Sequence, residues 1–430
     1  MMPEHAGPGS LGNRWVQLAV MVLSTVTLSN MQYGWTLFVN PMRNETHWAT
    51  VGIQLAFSIL IFLNTWLAPL EGWVADRYGP RFVVMLGGLA AGTSWVMNSR
   101  AHSLQTLYVA AAIGGLGIGC VFGTCMGTAL KWFPERRGFA SGMIAAGYGL
   151  GAAITVIPTS RMILASGYRH AFFFFGLLQG VSIFCLGAFL TKPPYRPSPT
   201  GKIRQGREFT PSQTVRTKVF WLIYLVYLMI GSGGMIVTAQ LGPIARDFGV
   251  EKQTITLLGL SMPLVAMAVS IDNLANGLTR PFSGFLSDKI GRENTMLLMF
   301  SAEGIAFLGM VAFGRQPLAF LVFAALIFLF WGEIFSLFPA ICGDTFGVRN
   351  ATANNGLLYT AKGTSALVVP LANLLVAATG TWTAVLLLMA VSSLGAGAMA
   401  KLVVDPARRR MLAPEALPVT GAGAITAEVI

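Results

Sequence analysis

The chain has 430 residues, of which 54% are hydrophobic and 11% are charged, whereas soluble domains carry about 25% charged residues. This composition excludes an ordinary soluble protein. The formal charge of +12 does not indicate a nucleic-acid partner, because the basic residues lie between apolar runs and form no patch with aromatic residues. The four cysteines lack the spacing of a zinc site and no Walker loop is present, so no metal or other cofactor is expected.

Apolar runs follow one another along the whole chain. A helix needs roughly 20 apolar residues to cross the ~30 Å hydrocarbon core of a bilayer. The sequence therefore predicts an all-α integral membrane protein with twelve transmembrane helices. These predicted spans cover residues 15–40, 51–75, 81–99, 104–130, 138–164, 170–190, 219–244, 254–286, 295–313, 318–341, 353–378 and 382–403.

One long hydrophilic connection divides the spans into two sets of six. Lys and Arg concentrate in this connection and on the side that carries both termini, which predicts that both termini are cytoplasmic, in a bacterial inner membrane. The predicted organisation is a six-helix bundle over residues 1–191, a cytoplasmic loop over 192–218, a second six-helix bundle over 219–404 and a cytoplasmic tail over 405–430.

A loop motif occurs twice. The segment 72–81, with Asp76 and Arg77, recurs as 284–292, with Asp288 and Lys289, at an offset of 212 residues. Its glycines permit close helix approach, and its Asp can cap a helix N-terminus or meet a cation. We expect the motif to gate or brace the protein without touching substrate. Two parallel halves of this kind can rock around a central site.

The doubled motif, G-x-x-x-D-[RK]-x-G, resembles that of the major facilitator superfamily, which implies a transporter of two pseudo-symmetric six-helix bundles. The same offset of 212 takes Arg137 to Arg349 and Gly142 to Asn354. It also takes Arg280 to Ala68 and Lys362 to Leu150, and this predicts that the first half has no counterpart of these two cations.

Arg280 and Lys362 are the two basic residues inside predicted spans, the eighth and the eleventh. A cation inside a membrane is tolerated where it faces a cavity or a partner. Two interpretations stay open. Both residues bind an anionic substrate, or each forms an internal ion pair, for which Asp272 and Glu333 are the available carboxylates. Tyr359, three residues before Lys362, shares its helix face.

A closer resemblance is to the oxalate/formate antiporters. It rests on the segments 11–15, 32–36, 131–138 and 280–284, on Trp331-Gly332 with Phe338-Pro339, and on Ala361-Lys362. The resemblance implies that Arg280 and Lys362 bind a dicarboxylate. It also implies a chamber lined by six further residues, Gln32, Tyr33, Phe122, Trp331, Phe335 and Tyr359.

Several positions depart from that family pattern. Phe122 and Phe335 stand where tyrosine is expected and Tyr359 where tryptophan is expected, while Asp272 and Glu333 add carboxylates inside the membrane. We therefore expect an antiporter of small carboxylates that acts as a monomer and is not an enzyme. The alternatives are a proton-linked monocarboxylate symporter, with Asp272 or Glu333 as the proton acceptor, and a membrane receptor that senses a carboxylate.

Overall fold

A computed structural model describes residues 13–194, 208–257 and 260–413, and we call residues 13–194 the first half and residues 208–413 the second half. Asn13 caps the first helix by accepting a hydrogen bond from the Trp15 N–H, and Ser103 caps the seventh. The helices of the first half are α1 (Arg14–Leu28), α2 (Asn30–Tyr33), α3 (Thr36–Thr46), α4 (Thr50–Trp66), α5 (Ala68–Tyr78), α6 (Pro80–Ser99), α7 (Leu104–Trp132) and α8 (Arg137–Ala188).

The second half repeats this pattern of long apolar helices. A π-helical turn, Ala400–Val404, precedes its last helix. Its helices are α9 (Pro211–Thr214), α10 (Lys218–Asp247), α11 (Leu264–Ile290), α12 (Arg292–Phe313), α13 (Pro317–Trp331), α14 (Ile334–Phe346), α15 (Ala351–Ala366), α16 (Val368–Thr379), α17 (Thr383–Met399) and α18 (Asp405–Leu412).

The eighth predicted span was wrong at its start, where the structure has a short antiparallel hairpin. Its strands are β1 (Thr254–Leu257) and β2 (Leu260–Pro263), with Thr254 opposite Pro263 and Leu257 opposite Leu260. The first strand alternates threonine with an apolar residue and begins with three β-branched residues, a strand pattern that overall hydropathy does not detect. The helix begins only after Pro263.

Four predicted spans, the first, second, tenth and eleventh, correspond to more than one α-helix. In α8, 52 residues long, Gly167 takes φ 83° and ψ 161° and separates the fifth span from the sixth. The second span consists of α4 and α5, bent by 48°. Within the described residues, eight helices are long and apolar enough to cross a membrane, or nine when this bent pair counts as one span. Grouping the broken helices gives segments that follow the twelve predicted spans.

The outer surface of the molecule is apolar, unlike that of a soluble protein, and some charged residues are buried. Leu164 is 85% exposed and Val391 is 68% exposed, whereas Arg280 and Lys362 are only 2% and 3% exposed. Apolar side chains on the outside suit a lipid solvent, and charged groups inside a bundle face a cavity or a partner. The charges therefore identify the centre of the bundle as the place for the site.

The halves approach each other closely at two glycines related by the offset of 212. A Cβ added at Gly284 would lie 2.0 Å from the Gly138 carbonyl oxygen, and one added at Gly72 would lie 2.5 Å from the Thr352 carbonyl oxygen. Only glycine allows backbones to meet at such distances. The pairs Gly284–Gly138 and Gly72–Thr352 are thus equivalent contacts.

These contacts correct the predicted alignment of α8 with α15. Gly138 corresponds to Thr352, so the offset for these helices is 214 and not 212. The extra length lies in α12, which has 22 residues where α6 has 20. Lys362 therefore corresponds to Tyr148 rather than to Leu150. The four-part domain division stays a prediction.

Candidate functional site

Asp76 joins the halves at one end of the bundle, which we call the motif end. Its carboxylate accepts hydrogen bonds from the backbone nitrogens of Thr352 (3.3 Å) and Ala353 (2.9 Å) at the start of α15. Lys131 donates to the same carboxylate at 2.5 Å. A carboxylate at this place satisfies free N–H groups and is stabilised by the helix dipole.

Asp288 makes the reciprocal contact from the second half. It accepts hydrogen bonds from the backbone nitrogens of Gly138 (3.0 Å) and Phe139 (2.9 Å) at the start of α8, and Arg292 donates to it at 2.5 Å. Each half thus caps a helix of the other. Both aspartates meet a helix N-terminus and a cation, as expected; their role in gating stays a prediction.

The basic residues that follow these aspartates do not take part in the caps. The guanidinium carbon of Arg77 lies 5.5 Å from the ring centroid of Trp73. The ammonium of Lys289 lies 4.4 Å from the ring centroid of Phe285. Each stacks on an aromatic ring of its own helix, a modest cation–π contact.

The hydrogen bonds that join the two halves, among the described residues, all lie between the motif end and the level of Arg280. They include Ser141 to the Ser336 carbonyl oxygen at 2.8 Å and an ion pair of Arg137 with Asp344 at 2.6 Å. The structure is therefore closed at the motif end.

Arg280 is held in the centre of the bundle by α11. Its guanidinium donates to the Ala145 carbonyl oxygen at 2.6 Å and to the Asn276 side-chain oxygen. A Cβ added at Gly149 would lie 2.9 Å from Arg280 Nη1, so this glycine makes room for the guanidinium. Arg280 Nε is buried and has no hydrogen-bond partner among the described residues.

Lys362, on α15, lies across the same aromatic ring. Its Nζ donates to the Tyr359 hydroxyl at 2.9 Å. The Phe335 ring centroid is 5.4 Å from Lys362 Nζ and 4.5 Å from the guanidinium carbon of Arg280. Cation–π contacts with one ring partly compensate both charges. The two cations therefore share the Phe335 ring as a common contact.

Neither cation forms a salt bridge within the part of the chain that the structure describes. The ion pairs there involve other residues, such as Arg292 with Asp288 and Arg169 with Glu45. The carboxylate of Asp272 is 1% exposed and has no hydrogen-bond partner among the described residues. Internal pairing with a carboxylate thus does not account for Arg280 or Lys362.

The predicted lining residues form an aromatic wall in two parts, and Lys362 joins them because it contacts both Phe335 and Tyr359. The ring centroids of Phe122 and Tyr359 are 5.8 Å apart, and those of Trp331 and Phe335 are also 5.8 Å apart. Together with Gln32, Tyr33, Arg280 and Lys362, all eight predicted site residues come together at the centre. Their role in binding stays a prediction.

Tyr148 is a wall residue that the sequence reasoning missed. Its ring lies 4.9 Å from Phe122 and 5.5 Å from Tyr33, centroid to centroid, and its hydroxyl donates to Gln32 Oε1 at 2.9 Å. It therefore connects the first-span residues to the rest of the wall. Correct alignment of the halves would have found it, since Tyr148 corresponds to Lys362.

Asn276 is the second missed residue. It lies one helical turn before Arg280, and it holds the guanidinium while its own Nδ2 donates to the Phe328 carbonyl oxygen at 3.2 Å. The spacing of four residues on one helix was the available signal. The sequence reasoning considered the carboxylates of Asp272, two turns away, and of Glu333, because a charged partner was expected.

The turn between α13 and α14 touches two helices with two successive residues and buries a third residue completely. Trp331 packs on α10, where a Cβ added at Gly234 would lie 2.1 Å from its ring. Gly332 packs on α11, where its own added Cβ would lie 2.5 Å from the Asn276 carbonyl oxygen. Glu333 is 0% exposed. This turn links the aromatic wall to the support of Arg280.

Apolar helices around a charged, aromatic centre between two related halves define a multi-pass membrane transporter. The family model described as Major Facilitator Superfamily matches residues 20–271 and 233–426. The chain is 32% identical over 399 residues to the oxalate:formate antiporter of Oxalobacter formigenes, covering 92% of this chain and 93% of that protein. The chain therefore belongs to the Major Facilitator Superfamily, in its oxalate/formate antiporter family, and is a transporter rather than an enzyme.

Other similar proteins agree with this assignment. The probable sulfoacetate transporter SauU of Cupriavidus necator is 24% identical over 387 residues, covering 85% of this chain and 87% of that protein. The transporter FucP in its outward conformation superposes with a TM-score of 0.71 at 13% identity, covering 90% of this chain and 98% of that chain. At this identity the superposition shows the fold alone.

Proposed function

We propose that this transporter exchanges small carboxylates, with Arg280 and Lys362 as the anion ligands. The observation that carries the proposal is that two buried cations border the Phe335 ring and form no salt bridge within the described residues. A guanidinium donates paired hydrogen bonds to a carboxylate, and an ammonium adds a second positive charge. The similarity to an oxalate:formate antiporter supports the same substrate class.

The site favours exchange over one-way release. An empty site that closes would leave Arg280 and Lys362 unpaired in a region of low dielectric, which is strongly unfavourable. A bound anion removes this penalty in both directions of the cycle. Return without an anion is therefore slow, and transport of one anion requires counter-transport of another.

The orientation that we propose puts the motif end and both termini in the cytoplasm of a bacterial inner membrane. Lys131, Lys289 and Arg292 lie at the motif end, and basic residues gather on the cytoplasmic side of membrane proteins. The closed motif end then means that the site is closed toward the cytoplasm. Because one chain supplies all eight site residues, we propose that the monomer is the functional unit.

Proteoliposomes containing the purified protein test the proposal. Vesicles loaded with formate should take up labelled oxalate, and vesicles without internal anion should not. The acid panel should extend from C1 to C4 carboxylates and include sulfoacetate. Absence of exchange with every member of the panel would disprove carboxylate antiport.

Proton-linked symport of a monocarboxylate is the second candidate, because the carboxylate of Asp272 is buried and has no hydrogen-bond partner among the described residues. A symporter would take up its substrate without internal anion, and an uncoupler would abolish this uptake. An antiporter loaded with formate would keep exchanging under the same treatment. The two mechanisms are therefore separated by one pair of measurements.

A further inference from the structure

In addition to the two cations, the second half buries two glutamates completely. Glu303 lies in the middle of α12, and Glu333 lies in the turn between α13 and α14; both are 0% exposed. Their four carboxylate oxygens have no hydrogen-bond partner on another described residue. Both groups lie beside α10, where Gly233 is next to Glu303 and Gly234 is next to Trp331, two residues before Glu333. Ionised carboxylates in such a place lack hydration and repel each other, so the pair requires a bound positive charge.

The helices that pack against Glu303 bring it no cation. On α10, Gly233 lies close to this side chain, since an added Cβ would lie 3.2 Å from Glu303 Oε1. The nearby Tyr227 of that helix stacks on Phe338, with ring centroids 4.2 Å apart. The helices α13 and α17 also pack on α12, and neither contains an ionisable residue.

The cations on the remaining neighbouring elements have other partners. Arg280 of α11 donates to Ala145 and Asn276. Arg292, the first residue of α12, pairs with acids at the motif end, and Lys401 of the π-helical turn pairs with Asp405 at 2.8 Å. Asp272, the buried acid of α11, brings no positive charge, and Lys362 of α15 donates to the Tyr359 hydroxyl. Protein charges within the described residues thus do not neutralise the pair.

The first half buries a single carboxyl group without a hydrogen-bond partner among the described residues, that of Glu71, where the second half has a pair. The helices α6 and α12 both begin after a glycine with positive φ, so Glu303 corresponds to Ala91, which is also 0% exposed. At the offset of 214, Glu333 corresponds to Gly119 on α7, and the Glu71 carboxylate lies next to this glycine. The fold therefore does not require a pair of buried carboxyl groups, and a pair that is costly to bury indicates a function other than packing.

We propose that Glu303 and Glu333 form a proton-binding site that takes up and releases a proton during the transport cycle. Glu333 is joined to the proposed carboxylate site through the α13–α14 turn, because Trp331 belongs to the aromatic wall and Gly332 packs against Asn276. A change in the charge of the pair shifts this turn and with it the support of Arg280. The site thereby makes carboxylate exchange depend on pH, a consequence that rests on the function proposed above.

Infrared spectroscopy of the full-length protein in lipid tests the proton site without any substrate. The difference spectra between wild type and Glu303→Gln, and between wild type and Glu333→Gln, should contain the carbonyl band of a neutral carboxyl group. Glu251→Gln is the control. The hydrogen-bonded Arg246 guanidinium lowers the pKa of Glu251, so its difference spectrum should show an ionised carboxylate. If the difference spectra of both glutamate variants show only an ionised carboxylate, as that of the control does, the proposal is overturned.

Exchange measured against pH tests the consequence. Wild-type exchange should fall as the pH rises through the titration of the pair, approaching about tenfold per pH unit because one proton is lost. A Glu303→Ala/Glu333→Gln variant cannot lose this proton and should show no such fall. Alanine is chosen at position 303 because Ala91 stands at the corresponding position of the first half. Equal pH profiles of the wild type and of this double variant would overturn the proposal. A requirement of exchange for Na⁺, together with absence of the neutral carboxyl band, would also overturn it. If no acid is exchanged, the proposed substrate class fails while the infrared result still decides the proton site.

Discussion

The two halves of the molecule are alike at the motif end and unlike at the centre. Asp76 and Asp288 each cap a helix of the other half, with equivalent backbone partners. At the centre, the second half has Arg280 and Lys362 where the first half has Ala68 and Tyr148. The halves thus share the contacts that close the bundle, and they differ in the chemistry that we propose for the substrate.

This difference separates two tasks that a transporter must perform. Closing and opening are governed by the contacts between the halves. Symmetric contacts use equivalent residues of each half. Recognition of a small acid requires charge, and a site with all its cations in one half keeps them together when the halves rock. Substitutions should therefore have matched effects at the motif end and unmatched effects at the centre.

The largest effect is expected from Arg280→Lys. The substitution keeps the charge but loses the paired donors and the bonds to Ala145 and Asn276, so oxalate binding should weaken by about 2–3 kcal/mol, on the order of 100-fold. Isothermal titration with the purified protein measures this. Arg315→Lys, at an exposed position outside the site, is the matched control. An unchanged dissociation constant in Arg280→Lys would make Arg280 a structural residue.

The next largest effect concerns the caps. Asp76→Asn and Asp288→Asn each remove a charged acceptor from two backbone N–H groups, which should destabilise the closed motif end by about 1.5–3 kcal/mol. A cysteine at position 141, in a Cys185→Ser background, reports this opening by its reaction with a maleimide. Ser141 is 0% exposed when the motif end is closed.

Both cap variants should raise the labelling rate to a similar degree, since the caps are equivalent. Asp247→Asn is the control, because Asp247 accepts comparable bonds from Thr381 and Trp382, both at 2.9 Å, within the second half alone. A response to only one of the two cap variants would show that closure is asymmetric.

A smaller effect is expected from crowding the glycine contacts. Gly284→Ala forces its new Cβ toward the Gly138 carbonyl, and overpacking of this kind costs about 1–3 kcal/mol. The closed state becomes rarer, so the exchange rate should fall roughly tenfold. Gly72→Ala should act similarly but more weakly, whereas Gly242→Ala, with no atom within 4 Å of its added Cβ, should exchange like wild type.

The sequence was sufficient for the outline of the fold because hydropathy and motif repetition are local signals. The spans and the doubled motif could be found without knowing any contact. The hairpin at Thr254–Pro263 was missed, since a hydropathy pattern does not distinguish a short apolar strand from the start of a helix. The two-residue change in offset was missed for another reason. The extra length lies inside α12, after the second motif, and so it does not change the spacing between the two motifs.

At the centre, charged residues were easier to predict than neutral ones. Arg280 and Lys362 were found because a cation in a membrane span is rare. Tyr148 and Asn276 are unremarkable in type and matter only through their contacts. Glu303 was not predicted, since its importance depends on Glu333, thirty positions away in sequence, and only the packing of both segments beside α10 relates the two.

The smallest effect should come from Tyr148→Phe, which tests whether the counterpart of Lys362 contributes to the site. The ring and its contacts with Phe122 and Tyr33 remain, and only the hydrogen bond to Gln32 is lost. Binding of oxalate should weaken by about 0.5–1.5 kcal/mol, roughly two- to tenfold. Tyr168→Phe, next to the Gly167 break in α8 and outside the predicted site, should bind like wild type. A loss as large as that of Arg280→Lys would mean that the hydroxyl contacts the substrate, and that both halves supply polar ligands.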